Sequence, residues 1–116
     1  MKRLVAIFWL GAAVVAAQTN RGSISGTVTD ESNAVVPGAA ITVTNQGTNE
    51  TRRVSAAQNG TFIVTDLEPV DYRVTVTSKG FKQAVIDDVK VDTAATATVN
   101  VKLETGSIDT KVTVLA

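Results

Sequence analysis

From Gly22 to Leu103 the apolar residues fall on every second position, in short runs separated by turn residues. A period of two places neighbouring side chains on opposite faces of an extended chain, so each run buries one face and wets the other. The runs are Gly22-Ser23-Ile24-Ser25-Gly26-Thr27-Val28, then Val36-Pro37-Gly38-Ala39-Ala40-Ile41-Thr42-Val43, then Asn59-Gly60-Thr61-Phe62-Ile63-Val64, then Tyr72-Arg73-Val74-Thr75-Val76, closing on Gly80-Phe81. Short half-buried strands at regular spacing cannot each find a core alone; they stack as a sandwich or close as a barrel. Val and Thr make up roughly a third of the chain, as a pleated surface favours.

The spacing predicts a first strand over Gly22–Asp30 with Ile24, Gly26 and Val28 inward. A second covers Ala39–Thr44 with Ala39, Ile41 and Val43 inward, and a third, weakly patterned, covers Glu50–Ala56. Arg52 and Arg53 in the third suit an exposed edge, where charge discourages addition of foreign strands. Asn59-Gly60 is the strongest turn signal, since it suits the positive φ of a tight hairpin. A fourth strand follows over Thr61–Thr65, with Phe62 and Val64 inward and Leu67 as a plug. A fifth spans Tyr72–Thr77, a sixth about Phe81–Ile86, and a seventh Ala95–Leu103 with Ala95, Ala97, Val99, Val101 and Leu103 inward. The expected fold is all-β: a small antiparallel β-sandwich of about seven strands.

The first seventeen residues have the make-up of a secretory signal: Lys2 and Arg3, an apolar run from Leu4, and small residues at Val15-Ala16-Ala17. The apolar stretch is about 14 residues, short of the ~20 a spanning helix needs, so no transmembrane segment is expected after cleavage. Division is therefore expected into a signal peptide at 1–17, a β-sandwich at 18–104 and a tail or linker at 105–116. The tail alternates weakly through Val112 and Val114 and suits either a linker or an extra edge strand.

The order G-x-I-x-G-x-V-x-D from Gly22, V-P-G-A-x-I-x-V from Val36, N-G-x-F-x-V-x-x-L from Asn59 and Y-x-V-x-V-x-x-x-G-F from Tyr72 resembles the carboxypeptidase regulatory-like domain. That resemblance implies a transthyretin-like, prealbumin-type sandwich. A signal followed at once by such a module is similar to the N-terminal extension of TonB-dependent, Oar-like outer-membrane receptors, where the module precedes a plug and a barrel. It implies an exported accessory module, in the periplasm, at the outer membrane or outside the cell, that contacts an envelope protein or a neighbouring domain.

Composition narrows the chemistry. The chain has no His and no Cys, which removes the commonest general base, the commonest zinc ligand and the thiol nucleophile. Ser23, Ser25 and Ser55 have no His to activate them. Asp87 and Asp88 are adjacent carboxylates and read as a solvated turn. Asp30, Glu31, Asp66 and Asp71 also sit at expected turns, without the spacing of a calcium loop. No catalytic residue, metal ligand or cofactor site is expected, and no binding residue is assigned. Net formal charge is zero, and loss of Lys2 and Arg3 leaves the mature chain slightly acidic, which argues against nucleic acid. An intramolecular isopeptide bond of the Cna-B pilin type needs an early-strand Lys, which is missing, although Asn100 stands in the last strand. Carbohydrate binding is the alternative function, because the wider fold group includes starch-binding-type modules. In the expected mature chain, Phe81 is the one aromatic residue free of the expected core, and a polysaccharide partner would need it.

Overall fold

The computed structural model describes residues 21–107 and 111–115. Among them are nine strands: β1 (Gly22–Thr29), β2 (Ala40–Asn45), β3 (Thr51–Ser55), β4 (Thr61–Leu67), β5 (Asp71–Thr77), β6 (Gln83–Lys90), β7 (Thr96–Thr98), β8 (Val101–Lys102) and β9 (Lys111–Leu115). They form two sheets. One has the order β4-β1-β7, with β8 also paired to β1; the other has the order β3-β2-β5-β6-β9. The signal expected at 1–17 lies outside the described residues.

The period-two pattern decides which faces meet. Along β1 burial alternates without a break, with Gly22, Ile24, Gly26 and Val28 inward. Ile24, Val28, Phe62, Val64, Leu67 and Val101 from one sheet, with Leu103 just after it, pack against Ile41, Val43, Tyr72, Val74, Val76 and Ile86 from the other. Phe62, Tyr72, Val74 and Ile41 therefore share the expected core, and Val99 packs against it partly buried.

Two bulges keep this parity where simple alternation would lose it. In β4, Thr65 and Asp66 together oppose Ser23, and Asp66 has φ 63°. The extra residue returns Leu67 to the core after Val64. In β6, Asp87 and Asp88 oppose Arg73, and Asp88 has φ 59°. Ile86 and Val89 are both buried as a result. Aspartate adopts the left-handed conformation more readily than most residues, so both bulges carry an acid there.

Several expectations are corrected. The sandwich has nine described strands rather than about seven, and its sheets are mixed: β7 and β8 run parallel to β1, and β9 runs parallel to β6. The sixth strand begins at Gln83, later than expected, and reaches Lys90. Asp87 and Asp88 lie inside it rather than in a turn. The Asn59-Gly60 turn forms locally, with the Gly60 N–H donating to the Ala57 carbonyl at 2.8 Å and Gly60 at φ 79°. It joins no hairpin, however, because β3 and β4 belong to different sheets.

The seventh strand is split into β7 and β8, and Ala95 is exposed. Gly26 explains the break. A Cβ on Gly26 would sit 1.7 Å from the Val99 carbonyl oxygen. The chain at Val99-Asn100 leans over this bare backbone, with the Val99 N–H donating to the Ser25 carbonyl at 2.7 Å. Asn100 Oδ1 accepts the Thr27 N–H at 3.2 Å, so its side chain holds backbone together. Residues 111–115 form β9, which pairs with β6 at the edge of the larger sheet.

Candidate functional site

The larger sheet ends in β3 on one side and β9 on the other, and β4 is an edge of the smaller sheet. β3 and β4 lie on the same side of the sandwich, and Arg52 bridges them. Arg52 opposes Val43 across the β2–β3 ladder, so it leaves β3 on the inner face. Its Nη2 donates to the carbonyls of Thr65 at 2.8 Å and Asp66 at 3.0 Å. The Thr61 carbonyl accepts from the Ala57 N–H at 2.8 Å. The β4 edge is thereby occupied at both ends.

Arg21 approaches the same bulge. Its Nη1 donates to the Asp66 carbonyl at 3.3 Å, and its Nε lies 3.5 Å from the Asp66 carboxylate. Below the two guanidinium groups is an open cleft of about 470 Å³, lined by Arg21, Asn45, Glu50, Arg52, Glu68 and Tyr72 among others. Asn45 is a buried polar residue whose Oδ1 accepts the N–H groups of Gly47 and Thr48, closing the β2–β3 hairpin. The Tyr72 hydroxyl donates to the Glu68 carbonyl at 3.0 Å. Burial pushes that hydroxyl above its ordinary pKa of 10.0.

The acids singled out in the sequence do not converge. Asp30 Oδ1 accepts from the Ser32 hydroxyl at 2.8 Å, the Ser32 N–H at 2.8 Å and the Ala34 N–H at 3.0 Å. The Ser32 hydroxyl is the largest cause of its lowered pKa. Glu31 Oε1 accepts the Thr105 hydroxyl at 3.0 Å. Asp87 pairs with Arg73 at 2.6 Å, and the Asp88 N–H donates to Gln46 Oε1. Among the described residues, no three His, Cys, Asp or Glu side chains come together as a metal site. Ser23 and Ser25 line the outer face of β1, and Ser55 is exposed on β3.

Phe81 is half-buried against the core and borders a groove of about 310 Å³ with Asp30, Glu31, Ser32 and Thr105. It is the aromatic residue that the sequence left outside the core. The inward role of Arg52 was missed. The available signal was parity, because Arg52 shares the face of Val54, which packs against the core.

Residues 23–104 match the carboxypeptidase regulatory-like domain. The chain belongs to that family. No curated protein matches its sequence significantly. In three dimensions this regulatory-like domain is similar to part of the Bacillus anthracis TIE protein, with TM-score 0.64 and 24% identity over 74% of the chain. It is similar to GBS52, the minor pilin of Streptococcus agalactiae, with TM-score 0.63 and 11% identity over 76% of the chain. A proposed carbohydrate-binding protein from Bacteroides uniformis gives TM-score 0.57 and 21% identity over 70%. The domain spans 17%, 46% and 40% of those three chains, respectively. These likenesses establish the sandwich fold, shared by larger proteins of different kinds.

Proposed function

We propose that the protein is a non-catalytic, exported docking module of the bacterial envelope, serving as the N-terminal extension of a TonB-dependent receptor or as a partner to one. The reading rests on one observation above the others. Asp30 caps a turn and Asp66, Asp87 and Glu104 pair with cations, while among the described residues a strand edge of the larger sheet is left without a neighbour. A sandwich so arranged offers backbone and Thr-rich faces to another protein rather than an activated nucleophile. The likeness to a minor pilin supports a part played by contact at the cell surface.

Export is the first test. Signal cleavage between Ala17 and Gln18 predicts a mature chain that starts at Gln18, read by N-terminal mass analysis of the exported protein. Met1 retained in a membrane fraction would refute it. The docking test is capture from an envelope extract with the mature protein as bait, followed by cross-linking and identification. Recovery of an outer-membrane receptor supports the reading, and an empty capture leaves the module a passive spacer.

A second reading is carbohydrate binding. It is favoured by Phe81 standing beside Asp30 and Glu31 in a surface groove, since sugar sites pair an aromatic face with polar oxygens. Retention on an insoluble glucan, lost in Phe81→Ala, would establish it.

A further inference from the structure

We propose that the free edge of β3 takes up an extended acidic peptide segment as an added strand of the larger sheet, through consecutive carboxylates that meet Arg52 and Arg53. This rests on the docking reading above and names the surface and the chemistry of its partner.

At the two ends of the β2–β3 ladder, the Asn45 N–H donates to the Glu50 carbonyl at 2.8 Å and the Ala56 N–H to the Ala39 carbonyl at 2.9 Å. Hydrogen-bonded pairs alternate along an antiparallel ladder, so Arg52 and Val54 bond to β2 while Thr51, Arg53 and Ser55 turn their N–H and C=O groups outward. No turn, loop or side-chain hydrogen bond among the described residues uses those outward groups. The neighbouring β4 edge is different: Arg52 and Ala57 occupy the carbonyls of Thr61, Thr65 and Asp66. On this side of the sandwich, β3 is the edge open to pairing.

Arg21, Arg73 and Lys82 each have a carboxylate partner, in Asp66, Asp87 and Glu104. None of these ion pairs uses Arg52 or Arg53. Arg53 opposes Thr42 and projects on the outer face, whereas Arg52 opposes Val43 and projects over the cleft. The Arg52 bonds to Thr65 and Asp66 employ Nη2 alone, which leaves other guanidinium donors for a carboxylate. Successive residues of an added strand point to opposite faces. Two consecutive acidic residues would therefore reach Arg53 on one face and Arg52 on the other, with β-branched residues flanking them beside Thr51 and Ser55. A second copy of this chain fits worse, since β3 against β3 sets arginine opposite arginine.

The test uses purified 15N-labelled protein and two capped synthetic peptides, TVTEEVTV and TVTKKVTV. The acidic peptide should bind, slow amide exchange at Thr51, Arg53 and Ser55, and weaken with added salt. Arg53→Glu should weaken it by about tenfold, the loss of an exposed pair plus the repulsion that replaces it. The basic peptide should bind that variant better than the wild type. Arg53→Pro, which removes one outward donor at an edge, should abolish slowed exchange while the rest of the spectrum stays folded. Equal binding of both peptides, protection at Ile63 or along β9 instead, or no binding at all would each overturn the proposal. If the peptide fails while the envelope capture succeeds, the docking reading stands and another surface serves it. If the capture fails while the peptide binds at β3, the edge is competent and the receptor assignment is wrong.

Discussion

Tyr72 places its ring in the core and its hydroxyl on the Glu68 carbonyl, so a single residue ties the sandwich to the loop that links its two sheets. The consequence is a dependence on alkaline pH. Burial raises the hydroxyl above its ordinary pKa of 10.0. In the unfolded chain it ionises near that ordinary value, so above it the native state keeps a proton that the unfolded state has lost. Stability then falls as pH rises. Urea unfolding should give a lower midpoint at about pH 11 than at about pH 9, and Tyr72→Phe should remove this component. Phe62 is the complementary case, apolar throughout and 5% exposed. Phe62→Ala should cost about 3–5 kcal/mol in the same assay, enough to unfold much of so small a domain; an unchanged midpoint would contradict its inward placement. Both residues were legible in the sequence because period two reports a face directly. Arg52 was not. A cation within an edge strand looks solvated, and only its bonds to the carbonyls of another sheet give it an inward task.

At the scale of elements, the strands were readable and their partnership was not. Ile24, Ile41 and Val74 declare their faces by alternation, whereas Asn59-Gly60 fixes a local φ and says nothing about which sheet the next strand will join. The split of the last predicted strand has the same origin. It depends on Gly26, far away in sequence, where the Val99 carbonyl occupies the place of a side chain. Gly26→Ala must move that backbone, and a loss of about 1–3 kcal/mol or more is expected. The control is Gly38→Ala, where φ is 78° and a Cβ meets nothing within 4 Å. That variant carries only the left-handed backbone cost of about 1–2 kcal/mol. Chemical denaturation reads both losses, and Gly26→Ala alone should shift the amide resonance of Val99. The acidic residues at the bulges were equally hidden, because Asp66 and Asp88 look like turn residues until pairing shows two residues opposite one.

For the whole molecule, the dispersal of carboxylates over separate turns and bulges carries a thermodynamic expectation. The melting temperature should be the same in EDTA and in millimolar calcium, since a cation that binds only the native state would raise it. A clear calcium-dependent rise would reveal a site that the described residues do not assemble. The family was readable from four blocks in order; the mixed sheets were not, because parallel pairing joins segments far apart in the chain. One of those pairings has a mechanical meaning. β9 lies alongside β6 in parallel register from Gln83 and Lys111 to Asp87 and Leu115. Tension transmitted through Leu115 along the strand axis would load every bond of that ladder together, as a shear. The same tension applied across the sheet would open the bonds one after another, as a zip. The module is therefore stiff in one direction of pull and yielding in the other.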